Sequence, residues 1–247
     1  MSKEGMSKRQ ARREQRRRAE QRSRMIVIAG VVLVALAVAA FLIAPNFTPV
    51  GEIKTPEART RPQANDNAAG DPNAPVKLEE FSDFQCPFCD RFSKETEGQI
   101  MDAYVATGKV YFVYRTFGDW IGKESGDAAE AAYCAGDQGK FWEMHDIIFA
   151  NQTGENVGDF TPRRLTAFAE KLGLDMSKFE SCFNGGTYKD RTNQDMADGR
   201  ANNIKATPSF VLTYTVNGQA RTELIEGALP FSEFQSKIDA ALAQAGK

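Results

Sequence analysis

Cys86-Pro87-Phe88-Cys89 sets two cysteines three positions apart, just after an apolar-rich run, Val76 to Phe84, that reads as a strand. A helix-compatible segment follows. Cysteines spaced this way at a strand-to-helix junction can close a small disulfide at a helix start. There the helix dipole and the free backbone N–H groups favour a thiolate over a thiol. A thiolate is the species that attacks disulfides, so the spacing predicts a chain that makes, breaks or shuffles them. Cys86 is the expected nucleophile, lying nearer the helix N-terminus and being the more exposed sulfur. Cys89, one turn on, is the expected resolving thiol, which attacks the mixed disulfide and frees the product. Pro87 suits a first helical turn because it needs no donor there, and the other amides of that turn remain free for the sulfur. The competing readings are an inert bridge and half of a zinc site. Cys134 and Cys182 lack the C-x-x-C spacing that would complete a zinc site, so no metal is expected.

Three further elements bear on this chemistry. Pro208 stands just before an apolar strand, a place where proline is tolerated, and X-Pro is where cis bonds occur. Thr-Pro alone is an ordinary loop signal. Facing a C-x-x-C, a cis Pro208 would expose the backbone of Thr207 to pair with an extended substrate, as an added strand does. Glu80 shares a strand face with Val76 and Leu78. A partly buried carboxylate there would have a raised pKa and could accept the Cys89 proton through water during resolution. A solvated glutamate is the alternative, and Glu79 and Asp83, on the opposite face, compete for the role. Cys134 and Cys182 are expected to form a structural disulfide closing a loop of about 49 residues, worth about 4 kcal/mol by loop entropy; a second redox pair is the rival. The single histidine, His145, reads as a packed core or groove residue. Phe141, Trp142 and Met144 read as helix packing rather than as a substrate groove.

The elements that must position these residues can be read from periodicity. Lys109 to Arg115 is a second strand, dense in aromatic and β-branched residues. Helical signals follow at Glu124 to Ala135, Phe141 to Phe149, after Thr161-Pro162, after Asp175 to near Phe183, and at Thr187 to Ile204. Ser209 to Val216 and Ala220 to Ile225 flank Asn217-Gly218, a strong hairpin signal, and Phe231 to Ala243 closes as a helix. Strand, helix, strand, helical block, hairpin and helix make an α/β class, a thioredoxin-like core with a helical insertion at about 118–200. The whole folded body is expected at 71–247.

The net charge of −2 hides an asymmetry. Residues 1–24 carry ten Lys/Arg and three Asp/Glu, a net of +7, which leaves −9 for the rest. Met25 to Ala44 is twenty residues without a charge, ~30 Å as a helix and enough to span a hydrocarbon core. The arginines before it predict a cytoplasmic tail at 1–24, a transmembrane signal anchor at 25–44 and an exported body. A cleaved signal peptide is the alternative, although both segments are long for one. The basic tail reads as a topology determinant rather than a nucleic-acid site. Residues 45–70, rich in Pro, Asn, Ala and charge, read as a flexible linker. Four cysteines in an exported domain fit an oxidising compartment.

Taken together, Gly70-Asp71-Pro72-Asn73-Ala74-Pro75-Val76, Glu80 through Cys89 (EFSDFQCPFC), Gln138 through His145 (QGKFWEMH) and Ala206-Thr207-Pro208-Ser209-Phe210 closely resemble the DsbA-type thiol–disulfide oxidoreductases, in particular their membrane-tethered bacterial branch. The likeness runs from about residue 70 to 245. It implies a thioredoxin fold interrupted by a helical domain, with Cys86 as nucleophile, Cys89 as resolver, Pro208 in cis and Glu80 as the buried acid. It implies no cofactor beyond the redox-active disulfide. The implied partners are unfolded or thiol-containing exported proteins and a quinone-linked membrane oxidant of the DsbB or VKOR type. Phe88 stands where the best-known oxidases have histidine, which helps stabilise the thiolate. Thr207 stands where they have valine, and isomerase-type relatives share the threonine. An oxidase is the expected direction, with a reductase or isomerase and a non-catalytic holdase as alternatives. Isomerases of this superfamily often dimerise through an N-terminal domain, for which residues 45–74 are too short and too polar, so a monomer is expected.

Overall fold

The computed structural model describes residues 8–43, 50–118 and 121–246. Residues 1–7 of the expected tail, Ala44, Pro45, residues 46–49 and residues 119 and 120 lie outside the described residues. The chain divides into two units, Met1–Gly51 and Glu52–Lys247. In the first, helix α1 (Lys8–Ile43) continues without a break from the basic segment into the apolar one. Its Arg, Gln, Glu and Ala residues are strong helix formers. The stretch Gln15–Phe41 is long and apolar enough to cross a membrane by length and composition.

The second unit is built on a five-stranded sheet of order β1-β3-β2-β4-β5. These strands are β1 (Ala68–Ala69), β2 (Val76–Ser82), β3 (Val110–Thr116), β4 (Ser209–Val216) and β5 (Gln219–Glu226). β2 and β3 are parallel, and the other pairs are antiparallel. The parallel pair needs a crossover. Helix α2 (Pro87–Phe92), α3 (Gly98–Ile100) and the wide π-turns Ser93–Glu97 and Met101–Val105 supply it as one continuous rod. β4 and β5 meet at Asn217 and Gly218, both at positive φ (51° and 77°), as a two-residue hairpin requires.

Among the described residues, five helices are inserted between β3 and β4: α4 (Lys123–Gly136), α5 (Phe141–Ala150), α6 (Pro162–Lys171), α7 (Met176–Asn184) and α8 (Lys189–Ala201). Asp175 caps α7 by accepting the Lys178 N–H at 3.3 Å. Thr161, expected to cap α6, does so only through its backbone carbonyl. The chain ends with α9 (Phe231–Gln244).

Strand register sorts the core. Leu78, Phe112 and Leu212 are aligned across three strands, with Glu80, Tyr114 and Phe210 in the next row on the same face. Phe92 and Phe234, from α2 and α9, pack on Phe210. Phe141 and Trp142 of α5 pack on Tyr114 and Phe112. On the opposite face Phe81, Phe117, Val211, Met196 and Ile204 form a smaller cluster beneath α8. Gly199 permits that approach, since a Cβ there would lie 2.6 Å from the Phe117 ring and 3.1 Å from Phe81.

The segment expected to be a free linker is packed from Ile53 onward. Ile53 joins the core. Lys54 exchanges backbone hydrogen bonds with the Asn151 amide at 2.9 and 2.8 Å, and Ala68–Ala69 forms an edge strand on β3. Arg61 is almost fully buried, bridging Glu97 at 2.8 Å and Asp146 at 3.0 Å, with its guanidinium over the Trp142 ring. Pairing with partners far along the chain replaces the hydrophobic period that this segment lacks, which is why composition alone misreads it.

The Cys134–Cys182 disulfide joins α4 to α7 across a sequence separation of 48. Replacing both cysteines with alanine is expected to lower unfolding stability by about 4 kcal/mol in urea titrations, because the loop is no longer closed in the unfolded chain. Arg61→Met is expected to lower it by about 3–5 kcal/mol in the same measurement, because buried Glu97 and Asp146 would lose their closely paired arginine and keep only the more exposed Arg59.

Candidate active site

β2 ends at Ser82, one residue after the last position paired to β4. The chain then leaves the sheet through a turn in which the Cys86 N–H donates to the Asp83 carbonyl at 3.0 Å. Cys86 has extended backbone and caps α2, Pro87 opens the helix, and the Cys86 carbonyl accepts the Asp90 N–H at 3.1 Å. Pro87 cannot donate to the sulfur, which leaves the Phe88 and Cys89 amides to do so. Opposite, the Thr207–Pro208 peptide is cis. The Thr207 carbonyl accepts from Cys86 Sγ at 3.4 Å. The Pro208 carbonyl accepts the Gly227 N–H at 2.8 Å, which holds this turn to the end of β5. A cleft of about 400 Å³ over Cys86 is lined by Phe88, Ile121, Glu155, Ala206 and Thr207.

The two thiols differ sharply. Cys89 is fully buried, and Cys86 is 6 % exposed, so the expected order holds although neither sulfur is freely open. The solvent-facing residue of the motif is Phe88, 53 % exposed, with Arg91 over its ring. The Cys86 pKa falls from 9.0 to about 6, chiefly because the Cys89 thiol donates to it; Thr207 and the two amides add to this, against the opposing effect of burial. Burial pushes Cys89 well above the ordinary thiol range, and its neighbours Cys86 and Glu80 push it the same way. The Asp83 N–H donates to Cys89 Sγ at 3.4 Å.

Glu80 lies beneath this pair and is fully rather than partly buried. Burial pushes its pKa well up, nearby Glu97 pushes it further, and Ser82 and Arg61 oppose. Such surroundings favour the protonated carboxyl over the carboxylate. Glu79, on the other face, is instead ion-paired to Lys77 and Arg115 at 2.9 and 3.3 Å. Asp83 does not continue the strand alternation, because the strand has already ended. It is buried beside the cysteines, and burial raises its pKa to about 7. His145 is a core residue, edge-on to Phe84, Tyr114, Trp142 and Phe149, with Nδ1 2.9 Å from Asp146. Phe141, Trp142 and Met144 are buried packing.

Sequence reasoning missed the groups that brace the site. The Gln85 amide donates to Ser125 Oγ at 2.8 Å and accepts the Asn156 N–H at 2.6 Å, tying the active-site turn to the helical insertion. Arg61 and Glu97 form the charged layer next to Glu80. Nothing local in the sequence announces these partners, which lie tens of residues apart.

Residues 63–240 match the family model described as thioredoxin. Among curated proteins, the chain is 32% identical over 155 residues to a Na(+)/H(+) antiporter NhaA 1 of Salinispora arenicola, covering 62% of this chain and 22% of that protein. It is 30% identical over 144 residues to a probable disulfide bond formation protein D of Bacillus cereus, covering 57% of this chain and 66% of that one. The chain thus spans about a fifth of the first relative and just under two thirds of the second. Among solved structures, oxidised BdbD from Bacillus subtilis is similar in fold. Its TM-score is 0.63 at 21% identity, over 78% of this chain and 100% of that one.

The asymmetry of the thiols has a direct readout. Thiolate absorbance of the reduced protein is expected to rise with a midpoint near pH 6 and to vanish in Cys86→Ser. Cys89→Ala, which removes the principal donor, is expected to move that midpoint upward. The depressed Cys86 pKa stabilises the reduced fold. That contribution is complete above the ordinary thiol pKa and is lost as pH falls through about 6.

Proposed function

The chain belongs to the thioredoxin family, and from that premise we propose that it is a DsbA-type thiol–disulfide oxidoreductase that donates the Cys86–Cys89 disulfide to exported proteins. The reading is carried by the division of labour between one acidified, cleft-facing thiol and one buried thiol held protonated. A substrate thiolate attacks Cys86 Sγ, the mixed disulfide forms, and Cys89 leaves. The leaving sulfur needs a proton, and Glu80, whose protonated form burial favours, is the group to supply it. A second substrate thiolate then attacks the substrate sulfur and expels Cys86 as a stable thiolate. In reverse, Cys89 resolves the mixed disulfide and returns its proton to Glu80. Thr207, whose carbonyl faces Cys86, pairs with the extended substrate backbone.

The apolar part of α1 supports a membrane anchor, and the arginines before it support an N-terminus in the cytoplasm with the catalytic unit outside. Reoxidation then falls to a membrane thiol oxidant. The relative from Bacillus cereus is a probable disulfide bond formation protein, which supports the oxidising direction. Phe88 and Thr207 favour the second reading, a reductase or isomerase, since neither is the residue of the best-known oxidases.

Equilibration with glutathione buffers separates the two. The proposal expects a potential nearer about −120 mV than about −270 mV, and the more negative value would make the chain a thiol donor. Phe88→His is expected to shift it toward the oxidising end by favouring the Cys86 thiolate. Cys86→Ser is expected to reduce oxidation of a dithiol peptide to background. Suppression of aggregation retained in a Cys86→Ser, Cys89→Ser protein that oxidises nothing would instead indicate a holdase.

A further inference from the structure

Two buried carboxyls flank the cysteines, and the exchange mechanism above uses only Glu80. Asp83 is wholly buried, and its backbone touches both halves of the redox pair: its carbonyl accepts the Cys86 N–H at 3.0 Å and its N–H donates to Cys89 Sγ at 3.4 Å. Its Oδ1 accepts the Gln85 N–H at 2.8 Å, and Oδ2 is buried without a close hydrogen bond, while the Ser125 hydroxyl and the Ile121 amide favour the carboxylate. The groups that face it are Cys86 and Cys89 from α2, Tyr114 from β3, Gln85 in the turn, and Ser125 and the Ile121 amide from the insertion. None is a cation. A buried carboxylate without a cation is held only by dipoles, and a negative charge appearing beside it should tip it toward protonation.

That charge appears each time the disulfide is reduced, because Cys86 is left as a thiolate. We propose that Asp83 is the redox-linked proton acceptor of this site, taking up a proton when the Cys86–Cys89 disulfide opens and releasing it when the disulfide closes. The proposal rests on the exchange reading given above and completes its balance. A substrate dithiol gives two electrons and two protons and becomes a disulfide. One proton ends on Cys89 and the other on Asp83, while Cys86 keeps the negative charge that Asp83 has lost. To the extent that Asp83 is protonated, the buried site carries the same net charge before and after exchange, and no uncompensated charge is added to it. Glu80 passes its proton to Cys89 and regains one from the substrate dithiol, so it ends as it began and leaves Asp83 as the net acceptor. The position of Asp83 near pH 7 in the reduced protein is consistent with the role. The coupling is mutual: each group raises the proton affinity of the other.

The test is a proton count. The oxidised full chain in detergent is reduced with one equivalent of dithiothreitol in weakly buffered indicator at pH 7, and peptide mapping verifies that Cys86–Cys89 is the bridge opened. Forming the Cys86 thiolate releases a proton, and Asp83 recaptures part of it, so the wild type is expected to release about half a proton per disulfide. Asp83→Asn is expected to release about one, and Asp83→Ser, which keeps a small polar group in the turn, the same. The two variants guard against a folding defect, and a purely structural role for Asp83 would leave the count unchanged. Equal counts in an exchanging wild type and both variants would overturn the proposal alone. A Cys86–Cys89 bridge that does not exchange with dithiothreitol would overturn the exchange reading and this one with it.

Discussion

A buried sulfur can keep a negative charge only if donors replace the water it has lost, and at Cys86 the Cys89 thiol is the main donor. Much of the site follows from meeting that requirement. Cys89 must stay protonated, so it is fully buried on the first turn of α2 and surrounded by groups that disfavour a second negative charge. Pro87 opens the helix without competing for the amides that face Cys86. The Thr207–Pro208 turn closes the other side, and the pairing of β4 with β5 holds it there.

The same requirement organises the charges below. Glu80 and Asp83 bring two carboxyls close to a thiolate, with Glu97 acting on Glu80, in a region nearly devoid of solvent. Arg61 neutralises part of this burden through Glu97 and Asp146, with the Trp142 ring beneath its guanidinium. Arg61 offsets the burial of Glu80 only in part, and no cation is among the groups that raise or lower Asp83, so both carboxyls are shifted toward protonation. The segment that precedes the sheet is therefore part of the electrostatic frame of the redox centre. The π-turn at Ser93–Glu97 contributes by bringing Glu97 to the buried side of the rod that begins at Cys86.

Local signals carried much of the architecture. The C-x-x-C at a strand end, the β-branched and aromatic run of β3, Asn217-Gly218 and Asp175 each act within a few residues, and each produced the expected element. The resemblance spread over Glu80–Cys89 and Ala206–Phe210 led to the thioredoxin-like fold that the family model supports. Readings that depended on continuing a local pattern failed where the pattern stopped. Alternation places Asp83 on the far face, but β2 ends at Ser82 and the chain turns inward.

The sequence by itself determined the element order, the two cysteine pairs and the proline before β4, because backbone preference and spacing act over short range. Tertiary structure alone decided which carboxyls lose solvent, which cation each one meets and how far the two thiols diverge. Burial and charge pairing depend on three-dimensional neighbours: Arg61 finds Glu97 and Asp146, and Cys86 finds Thr207 across a sequence separation of 121. A proton's affinity for a group is set by the charges and dipoles that surround it after folding, and those come from every part of the chain.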